Sequence, residues 1–453
     1  MASSPQKRIV RSAAPWLALG GGLFLGTLVV FRPVREVLAA PAGVPSWEAG
    51  DLDTALIMAG LRRAPHPVDT LRWWAGPWVG IVPFYRPLSS LLFWVEWRLL
   101  GEREALYALP AAAAHVIAVA LFALLVFRLA SRTPGCLPLV ASLVGALTFS
   151  GLLPGYRRVV VGQAFALWKN QPDTAAAIAC FLALLAYLRA QERSSPGIGA
   201  AGGYLAACGF KEVALALPGV CLALELDRLR GAERGIALRR LALLVGAGLL
   251  FLAVRTLALR GAGYFAGSYG AWLERGTIHL LGPFGPIVQG AWLGGALALW
   301  TLAVALAARR AWCRARLLLA TLPLVYLVGG GVLGYLAVVR TADLPWGEAS
   351  VVEAWVAGLG CCLQPPVPTH FAGALLLLGA VSVLLRSAPS GLAVGVLWVV
   401  AFALPQTMAA GRAHRDYLPD GGFFLLYALA AGVAIGQVRA RFARPRGEAT
   451  SCA

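Results

Sequence analysis

Along this chain, apolar runs long enough to cross a bilayer alternate with short polar breaks, and every second break carries a cluster of arginines. About 20 apolar residues span a hydrocarbon core of about 30 Å as a helix. The first such run covers residues 14–31, follows Lys7, Arg8 and Arg11, and is closed by Arg32-Pro33. With no small-residue cleavage pattern before it is long enough to cross, it reads as a retained helix with a cytoplasmic N-terminus.

The break at 32–88 is the longest early one and falls outside the cytoplasm on this reading. Within it, 71–84 holds Trp73, Trp74, Trp78 and Phe84 and reads as an interfacial helix or aromatic belt. The run 88–100 is short and holds Glu96 and Arg98, so it is expected to lie along the interface. Spans follow at 105–125, at 136–153 and, after a second outer loop at 154–173, on to residue 188.

The run 198–226 decides the rest of the topology. As one span it places Arg228, Arg230, Arg234, Arg239 and Arg240 outside, against the positive-inside bias. As two short helices turning at Phe210-Lys211-Glu212 it restores that bias. It also keeps two charges from mid-bilayer, where each costs about 2.5–3.5 kcal/mol on insertion scales. The hairpin is therefore expected. Further spans fall at 241–259, 285–307, 317–338, 371–385, 391–407 and 423–438.

This pattern predicts an all-α, polytopic integral membrane helical bundle of about twelve transmembrane helices with both termini cytoplasmic. Residues 1–438 form the membrane domain and 439–453 a basic cytoplasmic tail. Of the 453 residues, 59% are hydrophobic and 13% charged, well below the roughly 25% charged residues of soluble domains. The net charge of +18 does not point to nucleic acid, because the arginines are spread over short loops between apolar runs. The eight cysteines lack C-x-x-C spacing and there is no H-E-x-x-H, so neither a metal centre nor a disulfide framework is expected.

The chemistry-bearing residues fall in the outer breaks. They are Asp51 and Asp53, Tyr85-Arg86-Pro87-Leu88, Asp173, Lys211-Glu212, and Arg415-Asp416-Tyr417. Apart from Asp173, and together with Leu280-Leu281-Gly282-Pro283 and Pro218, this ordered set resembles the GT-C class of polytopic glycosyltransferases, in particular the bacterial relatives of protein O-mannosyltransferases. The resemblance implies a GT-C type fold in a bacterial inner membrane. It implies inverting transfer of a sugar from a polyprenyl-phosphate donor to a lipid, glycan or protein acceptor on the extracytoplasmic face.

For that reaction the acceptor hydroxyl must lose a proton, and Asp53 or Asp51 is the expected general base. The alternative use of both is to cap a helix starting near Thr54. Cations stabilise the departing lipid phosphate, and Arg86, Lys211 and Arg415 are the candidates, with Tyr417 as a hydroxyl donor and Tyr85, Glu212 and Asp173 in support. The plainer readings are snorkelling for Arg86, an ion pair of Lys211 with Glu212, and one of Arg415 with Asp416. Trp73, Trp74 and Trp78 serve as an aromatic belt or stack on the sugar or prenyl chain. His115 is expected to be a hydrogen-bonded structural residue. The Asp51/Asp53 pair also suits a divalent cation, whose remaining oxygens phosphate and water would have to supply, but no resident cofactor is expected. The rival from another class is a transporter or flippase for a lipid-linked saccharide, which predicts charged or broken helices at the bilayer midplane.

Overall fold

The structure, a computed structural model, describes residues 52–78, 84–101, 104–150, 170–260, 367–407 and 417–443. The expected spans at 14–31, 285–307 and 317–338 lie outside the described residues, as do the loops around Tyr156 and Leu280.

Among the described residues the regular elements are helical: α1 (Leu52–Arg62), α2 (Pro87–Leu100), α3 (Ala108–Ala130), α4 (Pro138–Phe149), α5 (Gln171–Glu192), α6 (Ile198–Phe210), α7 (Leu217–Glu225), α8 (Arg234–Leu259), α9 (Val367–Ser387), α10 (Pro389–Thr407) and α11 (Tyr417–Ala443). Short 3-10 turns occupy Pro67–Trp74 and Glu212–Ala216. Of the segment expected as an interfacial helix or aromatic belt at 71–84, residues 71–74 form the second half of the first of these turns, and 79–83 lie outside the described residues. Four helices among the described residues are long and apolar enough to cross a membrane: Leu109–Ala130, Gln171–Glu192, Arg234–Leu259 and Asp420–Ala440. At 1.5 Å per residue the 22 residues of α5 reach about 33 Å. The protein is a helical membrane protein.

The expected hairpin is present. Helix α6 ends at Phe210, Lys211 is extended (φ −157, ψ 135), and the chain resumes as the 3-10 turn and then α7. Contacts at both ends fix the directions. Lys211 at the end of α6 meets Asp173 at the start of α5, so these two helices are antiparallel. Helix α7 runs back: Gln191 at the far end of α5 donates to the Leu224 carbonyl at 3.1 Å, and the Tyr187 hydroxyl donates to Glu225 at 2.8 Å. Helix α8 returns once more, from Arg240 beside Glu225 to Arg255 beside Glu212. The bundle thus has a first pole, marked by Asp173, Lys211 and Glu212, and a second, marked by Glu225 and Arg240.

The second pole is tied by an ion network. Arg240 grips Glu225 through Nε at 2.7 Å and a terminal nitrogen at 3.2 Å, and neither side chain is exposed at all. Arg132 in the α3–α4 turn donates to Gln191 and Glu192, each at 2.8 Å, and to the Leu188 carbonyl. Helix α11 reaches the same end, where the Gly432 carbonyl accepts from Leu137 N–H at 3.0 Å. Arg128, Arg189, Arg193, Arg228, Arg230 and Arg239 lie in the helix ends and turns of this pole. Ser387, beside Arg386, accepts from Gln437 toward the end of α11.

Between the poles lies an aromatic core in which Phe122, Phe149, Phe181, Trp398, Phe402 and Phe424 bring together α3, α4, α5, α10 and α11. Phe122 and Phe149 stack with centroids 4.7 Å apart, and Phe149 meets Phe424 edge-on at 5.9 Å. Helices α10 and α11 touch along small residues. A Cβ on Gly422 would fall 2.6 Å from Val399 Cγ2 and 2.9 Å from the Gly395 carbonyl, so only glycine allows that approach. His115 is buried, as expected of a structural residue: its Nε2 lies 3.3 Å from the Ser150 carbonyl and its ring stacks on Phe149.

A second cluster joins Ile57, Met58 and Leu61 of α1 to Phe93 of α2 and to Trp73, Trp78 and Tyr107. Trp94 pins it by donating to the Ala64 carbonyl at 2.8 Å. Trp73 and Trp78 are therefore buried parts of this cluster, and only Trp74 keeps the exposure of a belt residue.

Candidate functional site

The first pole gathers three stretches that are far apart in sequence. Helix α5 opens with Pro172 in its first turn, where the missing N–H costs nothing, and with Asp173, whose charge suits a helix N-terminus. Lys211 binds Asp173 through Nζ, and both side chains are almost wholly buried, 8% and 5% exposed. The alternative pairing of Lys211 with Glu212 does not form. In an extended segment consecutive side chains point opposite ways, so Lys211 turns to α5 while Glu212 turns to α2 and α8.

Glu212 is the hub on that other side. It accepts from Tyr85 N–H at 2.9 Å and from Arg86 Nε at 3.1 Å, and Arg255 Nε lies 3.9 Å from its Oε1. Burial pushes the Glu212 carboxyl up, but the Arg86 charge and the donated hydrogen bonds outweigh it and leave the group below its usual range. Ser89 donates to the Phe210 carbonyl at 2.6 Å and Leu88 packs at Gly209, which docks the first turn of α2 on the end of α6. Arg86 precedes Pro87, which bars it from helical backbone and lets it project from the start of α2.

The Arg86 guanidinium lies over two rings, 4.3 Å from the Phe84 centroid and 5.0 Å from that of Trp78. Its Nε is taken by Glu212. Among the described residues no acceptor takes its two terminal nitrogens, and the side chain keeps 12% of its surface exposed. A backbone bond from Trp78 N–H to the Phe84 carbonyl, 2.7 Å, ties the two ring-bearing residues together.

Among the described residues the linked set brings three cations, Arg86, Lys211 and Arg255, to two carboxylates, Asp173 and Glu212, in a mostly buried setting. Such a place attracts an oxyanion, and a guanidinium with both terminal nitrogens open suits a phosphate. Asp173 and Glu212 are each paired with a cation.

Of the residues singled out from the sequence, Tyr85, Arg86, Asp173, Lys211 and Glu212 meet here. Asp53 lies in the first turn of α1, which begins at Leu52, two residues ahead of the expected start. Tyr417 begins α11. Asp51 and Arg415 lie outside the described residues. The sequence reading passed over Arg255, although a lone arginine inside the apolar run 241–259 is itself a signal of function. It also passed over Gln171 and Thr174, buried at the start of α5 with no hydrogen-bond partner among the described residues, and the buried Asp420 of α11. Among the described residues no group of three or more His, Cys, Asp or Glu is placed to hold a metal ion. No protein-family model, no curated protein and no solved structure matches this chain.

Proposed function

We propose that this protein is an integral membrane glycosyltransferase of GT-C type, which moves a sugar from a polyprenyl-phosphate donor to a lipid, glycan or protein acceptor at the extracytoplasmic face. The observation that carries this reading is the meeting of Tyr85-Arg86 with Glu212, 126 and 127 positions away, and of Lys211 with Asp173, in a cluster that among the described residues brings three cations to two carboxylates. The Tyr85-Arg86 and Lys211-Glu212 stretches are two of those on which the family resemblance rests.

In this mechanism Arg86 binds the donor phosphate through its terminal nitrogens. Glu212 orients it, and Lys211 and Arg255 add the positive potential that stabilises the leaving phosphate. Arg415 and Tyr417 complete the cradle from the break ahead of α11. Asp53, or Asp51, takes the proton of the acceptor hydroxyl. The arginine-rich second pole faces the cytoplasm under the positive-inside bias, which puts the first pole outside. On this reading the chain crosses a bacterial inner membrane about twelve times, with both termini inside.

Two measurements test these points. Arg86→Ala is expected to weaken binding of a polyprenyl-phosphate sugar about 10- to 100-fold, the usual worth of hydrogen bonds to a charged group. Unchanged donor affinity would reject the assignment. A cysteine introduced as Ala262→Cys, just past the end of α8, is expected to react with an impermeant thiol reagent in intact cells, above the background of the native cysteines. Labelling only after lysis would reverse the orientation.

A further inference from the structure

We infer that the indole N–H of Trp78 is a second donor to the anion that Arg86 holds, so that the two side chains form one cradle for a phosphate. The inference rests on the glycosyltransferase reading of the Arg86 site and deepens it.

Trp78 is buried, and its Nε1 is out of reach of solvent with no hydrogen-bond partner among the described residues. Buried indole N–H groups normally find an acceptor. Among the described residues the fully buried Trp398 donates to the Leu418 carbonyl at 2.9 Å, and the half-buried Trp94 to the Ala64 carbonyl at 2.8 Å. Trp78 departs from this pattern at the place where Arg86 lies over its ring, 5.0 Å from the centroid. That guanidinium is fixed in turn by Glu212 at Nε and by Phe84 beneath it, with both terminal nitrogens open. The ring that carries an indole N–H without an acceptor thus lies against a guanidinium whose terminal nitrogens are open.

The donors select the chemistry of the group they would hold. An indole N–H and a guanidinium donate and cannot accept. A neutral hydroxyl would bring a proton of its own to a place where the nearest acceptor, Glu212, already takes bonds from Tyr85 and Arg86. An ionised oxygen accepts from both without that conflict. The phosphodiester that joins a sugar to a lipid offers such oxygens. Free phosphate offers the same oxygens.

The test is binding to purified protein in nanodiscs, with a short-chain polyprenyl-phosphate sugar and inorganic phosphate as probes. Wild type, Trp78→Phe and Arg86→Ala are compared, and thermal unfolding is recorded for each. Phenylalanine keeps a ring beneath Arg86 and removes the N–H. Trp78→Phe is expected to bind about tenfold more weakly with an unchanged or higher unfolding temperature, because a buried unpaired donor has gone. Weakening seen for the lipid probe alone assigns the cradle to a lipid headgroup, and weakening seen for both assigns it to phosphate at large. If Trp78→Phe binds as wild type does while Arg86→Ala loses affinity, the indole role is overturned and the transferase reading stands. If both variants bind as wild type does, both fail. Should Trp78→Phe unfold early, replacing Trp78 by benzothienylalanine, with sulfur in place of the N–H, repeats the comparison in a ring of the same shape.

Discussion

Glu225→Ala is expected to cost about 3–5 kcal/mol of stability, because it leaves the Arg240 guanidinium buried without its partner. Both side chains are fully buried, and Glu225 also accepts from the Tyr187 hydroxyl, so one substitution strips acceptors from groups on α5 and α8 at once. In a bilayer such a group has no water to turn to. The double variant Glu225→Leu with Arg240→Met removes both charges and is expected to recover most of the loss, since a well-packed apolar pair is often as stable as a buried ion pair. Unfolding of the purified protein in detergent, followed by helical signal, reads both. A Glu225→Ala variant as stable as wild type would contradict the role given to the second pole.

Asp53→Asn is expected to lower sugar transfer about 10²- to 10⁴-fold, the usual worth of a general base, with expression and donor binding intact. The acceptor hydroxyl needs a carboxylate, and the two that the structure brings to the cations are engaged, Asp173 by Lys211 and Glu212 by Arg86 and Tyr85. The Arg86 charge and the donated hydrogen bonds hold the Glu212 carboxyl below its usual range against the effect of burial. Asp53, in the first turn of the helix that packs on α2, comes from the loop the family resemblance singles out. Turnover near wild type in the purified variant would reject it.

The sequence pattern was legible wherever burial and charge acted on whole segments. The turn at Lys211 was readable because one long span would have carried two charges into the bilayer, and α6 does end at Phe210. Segment ends were less so: α3 runs to Ala130 and α8 starts at Arg234, because arginines at a helix end keep their heads at the boundary while the backbone continues. Pair identity was not legible. Adjacent charges such as Lys211 and Glu212 suggest each other, but an extended backbone separates their side chains, and only the tertiary arrangement shows Asp173 and Arg86 as the partners. Arg255 was visible as a letter and invisible as a partner, since nothing in an apolar run says what its one charge faces.

The central claim is that the first pole transfers a sugar from a lipid phosphate. The most direct measurement is incorporation of label by purified protein in nanodiscs, from a panel of radiolabelled polyprenyl-phosphate sugars into a membrane extract, beside the Asp51→Asn/Asp53→Asn double variant. The account predicts incorporation from at least one donor by the wild type and its loss in the variant. Donor lipid that binds but yields no transfer from any member of the panel would contradict it, and would favour a carrier or binding protein for the same lipid.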